Sequence, residues 1–134
     1  MYKRQVQGAT AADPGAAERR KVVEAFLSAS REGNFDALLA MLDPNAVFQA
    51  DAAAVRLGGA PELRGAPAVA RSFVGRAQSA RSALVDGTVG VVVAPRGRLL
   101  LVLRITFGNG RIVGIDAVAD PARLRDLDPA VLAA

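Results

Sequence analysis

The sequence lacks several residue types on which common site chemistries depend. Its 134 residues include no cysteine, no histidine and no tryptophan, and the single tyrosine, Tyr2, lies at the N-terminus. The absence of cysteine excludes disulfides, thiolate metal sites and cysteine nucleophiles. The absence of histidine removes the commonest metal ligand and the commonest general base at neutral pH. Catalysis would have to use carboxylates, arginine or hydroxyl groups, and we expect neither a metal nor a cofactor.

Long apolar runs are also missing. No stretch of 18 residues is free of charge, and the N-terminal segment MYKRQVQGATAADPG has no apolar centre of the kind found in signal peptides. The sequence therefore predicts a cytoplasmic protein without membrane contact.

Charge and composition indicate one soluble-type domain rather than a nucleic-acid binder. The net charge is +4, and 15 arginines but only 2 lysines are scattered along the chain. No basic run is interleaved with aromatic residues, so we expect no direct DNA contact from this domain. Hydrophobic residues make up 51% of the chain, mostly alanine, valine and leucine, which predicts one aliphatic core.

Helical spacing of apolar residues predicts three helices after a linker over residues 1–15. The first is capped by Asp13, opens at Pro14 and ends at Gly33. Asn34 caps a second helix, which ends at Asp43-Pro44. The third opens at Pro67 and buries Val69, Phe73, Val74 and Ala77. The domain is then expected to cover residues 16–134, with a tail over 120–134.

Alternating and β-branched segments predict a sheet. Residues 45–51 form a first strand, and residues 50–65, rich in Gly and Pro, form a loop. Three strands follow at 84–94, 99–107 and 111–119, separated by a Pro-Gly turn and by the hairpin dipeptide Asn109-Gly110. This order predicts an α+β domain in which helices cover one face of a curved sheet. Apolar residues on both faces of the strands 84–94 and 99–107 indicate that the second face is covered, either by another domain of a longer protein or, in the isolated chain, by a second copy in a homodimer.

Two carboxylates and one arginine are the candidates for catalysis: Asp51 after the first strand, Asp116 inside the last, and Arg104 in LLLVLRITF. Burial would raise the pKa of Asp116 and make it a base near neutral pH. The alternative is an ion pair with Arg104. A three-residue hairpin loop makes these two residues diagonal neighbours, whereas a two-residue loop places them on opposite faces. The remaining oxyanion donors are arginine and isolated hydroxyls, which are normally surface or capping groups, so a non-enzymatic domain is favoured. The hydroxyls considered are those of Ser72, Ser79 and Thr106.

The stretch Asp120-Pro121-Ala122-Arg123-Leu124 begins the tail and allows two interpretations. Asp120 can cap a short helix opening at Pro121, with Leu124 and Leu127 closing the domain. Alternatively, Pro121 starts a turn whose leucines and arginines contact a partner. Both interpretations can hold together.

Three segments carry a family resemblance: VVEAFLSASREGNFDALLAMLDPNAVFQAD, LRGAPAVARSF and ITFGNGRIVGIDAVAD. Their order and spacing resemble the SnoaL-like domain shared by ketosteroid isomerase, scytalone dehydratase and polyketide cyclases. The resemblance implies a cystatin-like cone, a curved antiparallel sheet wrapped around three helices. It also implies a pocket for a small apolar ligand and, in the enzymes, isomerase, cyclase or hydrolase activity that depends on a pocket carboxylate.

A narrower resemblance is to the SnoaL-like C-terminal extension of bacterial extracytoplasmic-function sigma factors. In that group an acidic residue, several glycines and a lysine follow the first strand, and a segment of the type Asn-Pro-Asp-Lys-Leu ends the chain. Here Asp51-Ala52-Ala53-Ala54-Val55 matches the first pattern poorly, and Asp120-Pro121-Ala122-Arg123-Leu124 matches the second well.

The narrower resemblance implies a regulatory domain that contacts the sigma domains of its own protein and, through the full-length protein, RNA polymerase. Residues 1–15, with Lys3 and Arg4, would then be the end of an upstream sigma domain. The implied partner contacts are Asp51, Asp120, Pro121, Arg123 and Leu124.

Overall fold

The computed structural model describes residues 14–127, and within that range the chain forms five α-helices and one six-stranded sheet. The helices are α1 (Pro14–Glu32), α2 (Phe35–Met41), α3 (Ala52–Arg56), α4 (Ala66–Phe73) and α5 (Pro121–Arg125). The strands are β1 (Leu42–Ala50), β2 (Glu62–Arg64), β3 (Ala80–Val85), β4 (Thr88–Val93), β5 (Leu101–Gly108) and β6 (Arg111–Val118). The predicted cap Asp13 and most of the predicted linker lie outside the described residues.

The sheet has the order β2-β1-β6-β5-β4-β3 and is curved and unclosed. Helix α1 packs against β3 and β4, and α4 packs against β1, so the helices fill the concave, inner face. This arrangement confirms the predicted α+β cone. The sheet is mixed rather than purely antiparallel, because β1 runs parallel to β6 while the other neighbouring strands are antiparallel.

The main core lies between the helices and the inner face. Phe26 and Leu27 from α1 and Val69 from α4 are almost completely buried there against strand residues such as Ile115. The ring of Phe73 lies edge-on to that of Phe26, with centroids 5.1 Å apart. Edge-to-face contacts of this kind add to the free energy gained by burial. Val69 and Phe73, which were predicted to lie on the buried face of the third helix, are therefore part of this core or packed against it.

A smaller apolar cluster lies on the outer face of the sheet. Val85, Val92 and Val102 point outward from three neighbouring strands and are covered by Leu127, with Leu124 packed at the margin. The chain's own C-terminal segment thus buries part of the outer apolar surface from which the homodimer was inferred. The oligomeric state itself stays a prediction.

The prediction of one strand over residues 84–94 is wrong. This range holds the end of β3 and all of β4, which are joined by a tight turn at Asp86-Gly87. Both turn residues have positive φ angles, 53° and 81°, as the favoured two-residue hairpin turns require. The predicted loop over 50–65 contains α3 and β2. The third helix ends at Phe73, so that Val74, predicted to be buried, is 39% exposed.

The hairpin of β5 and β6 differs from both predicted geometries. Its loop is the two-residue Asn109-Gly110, yet Arg104 and Asp116 are direct cross-strand partners. The reason is a β-bulge: Phe107 pairs with Ile112 but Thr106 pairs with Gly114, so one extra residue lies in β6. The bulge restores a shared face that the two-residue loop alone would have excluded.

Candidate functional site

Asp51 connects the end of β1 to the tail. Its Oδ1 accepts a hydrogen bond from Ala54 N at 2.9 Å, which caps α3. Its Oδ2 accepts from the backbone nitrogens of Ala119 and Asp120, each at 3.0 Å. One carboxylate thus satisfies three N–H groups, two of which lie 68 and 69 residues further along the chain than Asp51. The prediction had placed Asp51 at the end of the strand but had not linked it to the tail.

The tail begins as a capped helix. Asp120 Oδ2 accepts from Arg123 N at 3.0 Å, and Pro121 occupies the first turn of α5. The predicted cap at Asp120 and helix start at Pro121 are confirmed. Proline fits this position because its missing N–H would have no intrahelical acceptor.

Arg123 lies between two carboxylates. Its Nη1 is 3.3 Å from Asp51 Oδ2, and its Nη2 is 3.6 Å from Asp116 Oδ2. The side chain of Asp51 is only 12% exposed, whereas those of Arg123 and Asp116 are 46% and 42% exposed. We call Asp51, Asp116, Asp120 and Arg123 the tail-docking cluster, since together they fix the start of the tail to the sheet.

The hydrogen bonds of Asp51 keep its side chain ionised. Burial alone would raise its pKa, but the N–H groups of Ala54, Asp120 and Ala119 and the guanidinium of Arg123 outweigh burial, so that the pKa lies below its usual range. Asp51 is therefore a carboxylate at neutral pH with its oxygens already occupied. This environment is the opposite of the one that makes a general base.

The other two catalytic candidates also have ion-pair partners. Asp116 is half-exposed and faces Arg123, contrary to the buried environment predicted for it. Arg104 forms its ion pair with Asp86, at 3.5 Å, rather than with its cross-strand partner Asp116. All three side chains lie on the outer face of the sheet or at its end, and none of them lines the cavity described next.

A cavity of about 360 Å³ opens between the inner face of the sheet and the helices. Its walls are mainly apolar, with Leu27, Phe48, Phe73 and Leu103 among them. The segments 57–60 and 76–79 form much of the remaining wall. Ala54 of α3 also lines the cavity, so the helix that Asp51 caps is part of its wall.

The polar side chains of the cavity come from the segment around α4 and β3: Ser72, Arg76, Gln78 and Ser79. The Ser72 hydroxyl donates to Val69 O at 2.7 Å, and Gln78 Nε2 donates to Gly75 O at 3.4 Å. The two serines were considered from sequence as isolated hydroxyls, whereas Arg76 was missed. No local motif marks Arg76, because its place at the cavity depends on the end of α4 and the return into β3.

Two features are absent from the part of the chain that the structure describes. Within residues 14–127, no three acidic side chains are grouped so as to hold a metal ion. No helix in the same range is long and apolar enough to cross a membrane.

The sequence matches no family model and no curated protein, but the structure is similar to several solved ones. It superimposes on the Mycobacterium tuberculosis extracytoplasmic function sigma factor SigJ with a TM-score of 0.61 and 25% identity. That match covers 84% of this chain and 45% of SigJ, so the chain spans less than half of that protein.

Other similar structures share the architecture at lower identity. An M. tuberculosis LEH-like epoxide hydrolase matches with a TM-score of 0.53 and 22% identity, over 81% of this chain and 82% of the enzyme. A protein with a cystatin-like fold from Methylobium petroleophilum matches with a TM-score of 0.53 and 17% identity, over 76% of this chain and 75% of that one. The helices inside a curved sheet, the cavity between them and these likenesses lead to one conclusion: the chain folds as a SnoaL-like domain of the cystatin-like class.

Proposed function

We propose that the chain is a regulatory SnoaL-like domain of an extracytoplasmic-function sigma factor, which modulates transcription initiation through contacts between its tail and the sigma domains. The observation that carries the proposal is the tail-docking cluster, in which Asp51 fixes the Asp120-Pro121 segment at the sheet end. The likeness to SigJ supports it. The two segments that were compared with the sigma-factor extension also meet in this cluster, of which the one at Asp120 matches well. RNA polymerase would be reached through the full-length protein.

The geometry supports a division of roles within the tail. Leu127 is buried and Leu124 partly buried against the outer valines, so these two serve the domain itself. Pro121 and Arg125 are exposed and are free to face a partner, and Arg123, although paired with Asp51 and Asp116, is also half-exposed. Charged residues at such a surface direct the orientation and rate of association more than they add affinity. The two interpretations of the tail thus apply to different residues of the segment 121–127.

The test uses this chain and the sigma fragment that matches it. Binding is measured by calorimetry for the wild type and for Arg125→Glu, which reverses an exposed charge in the last turn of α5. We expect the substitution to weaken binding about tenfold, because it reverses the sign of a charge that would orient the partner. Arg98→Glu is the matched control, since Arg98 is equally exposed and lies outside the tail. Absence of binding, or equal affinity for the two variants, would remove the proposal.

We further propose that Asp51 and Asp116 act structurally rather than as catalytic bases. Both carboxylates are paired with Arg123, and the Asp51 oxygens also accept backbone hydrogen bonds. Neither lines the cavity in which a substrate would bind. Cytoplasmic location and homodimer formation stay predictions, the latter tested by sedimentation at tens of micromolar chain.

A further inference from the structure

The cavity has the size and the lining of a small-molecule site. Its volume of about 360 Å³ falls near the lower end of the range of roughly 300 to 1,000 Å³ usual for such sites. One water molecule occupies roughly 30 Å³ in the liquid. If each non-hydrogen atom of a ligand takes up a similar volume, the cavity holds about twelve of them. The body of the cavity, with Leu27, Phe48, Phe73 and Leu103, has no polar side chain to satisfy. An aliphatic chain is the occupant that such walls favour.

The rim of the cavity exposes apolar surface. Leu57 is 49% exposed and Leu100 is 40% exposed, and both line the cavity. They are two of the four large hydrophobic side chains that stand out as exposed among the described residues. Covering apolar surface gains about 25 cal/mol per Å². A ligand that extends from the body to the rim would therefore gain free energy from these two leucines as well.

Arg76 supplies the charge of the site. Among the described residues that line the cavity, Arg76 alone is charged. Its guanidinium makes no hydrogen bond or ion pair with any other residue in the range 14–127. By contrast, Arg31 donates to Ala77 O at 3.0 Å and to Ala80 O at 2.6 Å, which fixes the segment that carries Arg76. The side chain of Arg76 is exposed, and a guanidinium at the mouth of an apolar cavity, with no acceptor among the described residues, suits a carboxylate.

We propose that the cavity binds an amphipathic anion, an aliphatic carboxylate of about ten carbon atoms whose head pairs with Arg76. Decanoate, with ten carbons and two oxygens, matches the about twelve atoms that the volume allows. The chain of the ligand lies between the sheet and α1, and its head lies at the rim beside Arg76. This site is separate from the tail surface and does not depend on the proposed role in a sigma factor.

The experiment compares ligands that differ only in the head group. Decanoate, decanol and decylammonium are titrated into the chain at pH 7, below their micelle concentrations, and binding is measured by calorimetry. We expect one decanoate per chain, bound about tenfold more tightly than decanol, because a hydrogen bond to a charged group is stronger than a neutral one. Decylammonium should bind more weakly than decanol.

Two variants and one control distinguish the binding of the ligand's head group from the binding of its aliphatic chain. Arg76→Gln should remove the tenfold preference for decanoate over decanol while leaving decanol affinity unchanged. Arg98→Gln, the same charge change at an exposed residue outside the lining, should keep the preference. Ala60→Phe places a ring at the lining and should weaken decanoate and decanol alike.

Circular dichroism establishes that each variant is folded before it is titrated. Failure of decanoate to saturate the folded wild type would overturn the proposal. So would a preference for decanoate that survives in Arg76→Gln. Because no sigma fragment is present, neither outcome bears on the regulatory role of the tail.

Discussion

The substitution Asp51→Ala tests whether one carboxylate joins the sheet to the tail. It removes the acceptor for the N–H groups of Ala54, Ala119 and Asp120 and one ion-pair partner of Arg123. None of the other carboxylates in the tail-docking cluster replaces those contacts. The domain should still fold, because the main core is on the inner face and does not involve this side chain.

The expected loss of stability follows from these contacts. Losing a helix N-cap costs about 1 kcal/mol. The N–H of Ala119, a residue only 8% exposed, and that of Asp120 lose a charged acceptor, and a donor left unsatisfied costs about 1 to 3 kcal/mol. The half-exposed ion pair with Arg123 adds less than about 1 kcal/mol. We expect the free energy of unfolding to fall by about 3 to 5 kcal/mol, a large part of the 5 to 15 kcal/mol usual for a domain.

The assay is urea unfolding followed by far-ultraviolet circular dichroism. Asp116→Ala is the matched control, since Asp116 contacts the same arginine from a half-exposed position; its loss should cost about 0.5 kcal/mol or less. Asp51→Asn keeps one acceptor oxygen, so its loss in the free energy of unfolding should lie between those of Asp51→Ala and Asp116→Ala. A loss below about 1 kcal/mol for Asp51→Ala, or equal losses for Asp51→Ala and Asp116→Ala, would refute the reasoning.

Two other predictions concern pH and packing. Folding lowers the pKa of Asp51. The ionised side chain therefore contributes its full stabilisation above the pKa of the unfolded chain, about 4, and this stabilisation disappears as the pH falls through the lower pKa of the folded state. The stability difference between wild type and Asp51→Asn should therefore narrow in unfolding curves below pH 4, and a constant difference would contradict this. At Gly90, a Cβ would lie 2.7 Å from Leu103 O, so Gly90→Ala should cost about 1 to 3 kcal/mol. In Gly114→Ala the new Cβ meets Thr106 at an ordinary 3.6 Å, so thermal unfolding should show a much smaller change, and equal changes at the two glycines would contradict the packing.

The elements that depend on local sequence could be predicted. Asn34 accepts from Ala37 N as a cap does, and Asp120 caps the helix that begins at Pro121. The Asn109-Gly110 turn also lies where its dipeptide indicated. The dipeptide Asp86-Gly87 has the same chemistry but stands inside a run rich in valine and leucine. The predicted strand 84–94 follows the apolar run and passes over this turn signal, which the sequence contains.

The features that depend on distant contacts could not be predicted in the same way. The bulge in β6 reverses the face relation between Arg104 and Asp116, and no residue of the hairpin loop determines it. The role of Asp51 depends on backbone donors near residue 119, which only the folded sheet brings within reach. Arg76 reaches the cavity because Arg31 fixes the segment between α4 and β3. Sequence patterns describe neighbours along the chain, and each of these contacts is between neighbours in space.

The parallel pairing of β1 with β6 has a consequence for how the domain folds. It joins residues 42–50 to residues 111–118, so the middle of the sheet is formed by the first and the last strand of the described chain. Contacts between such distant segments slow folding, since a long loop must close before they form. Until β6 has been synthesised, β1 keeps an unpaired edge, and exposed edges promote association between chains. We therefore expect fragments that end before residue 111 to aggregate, which makes completion of the last strand the step that commits this domain to its native form.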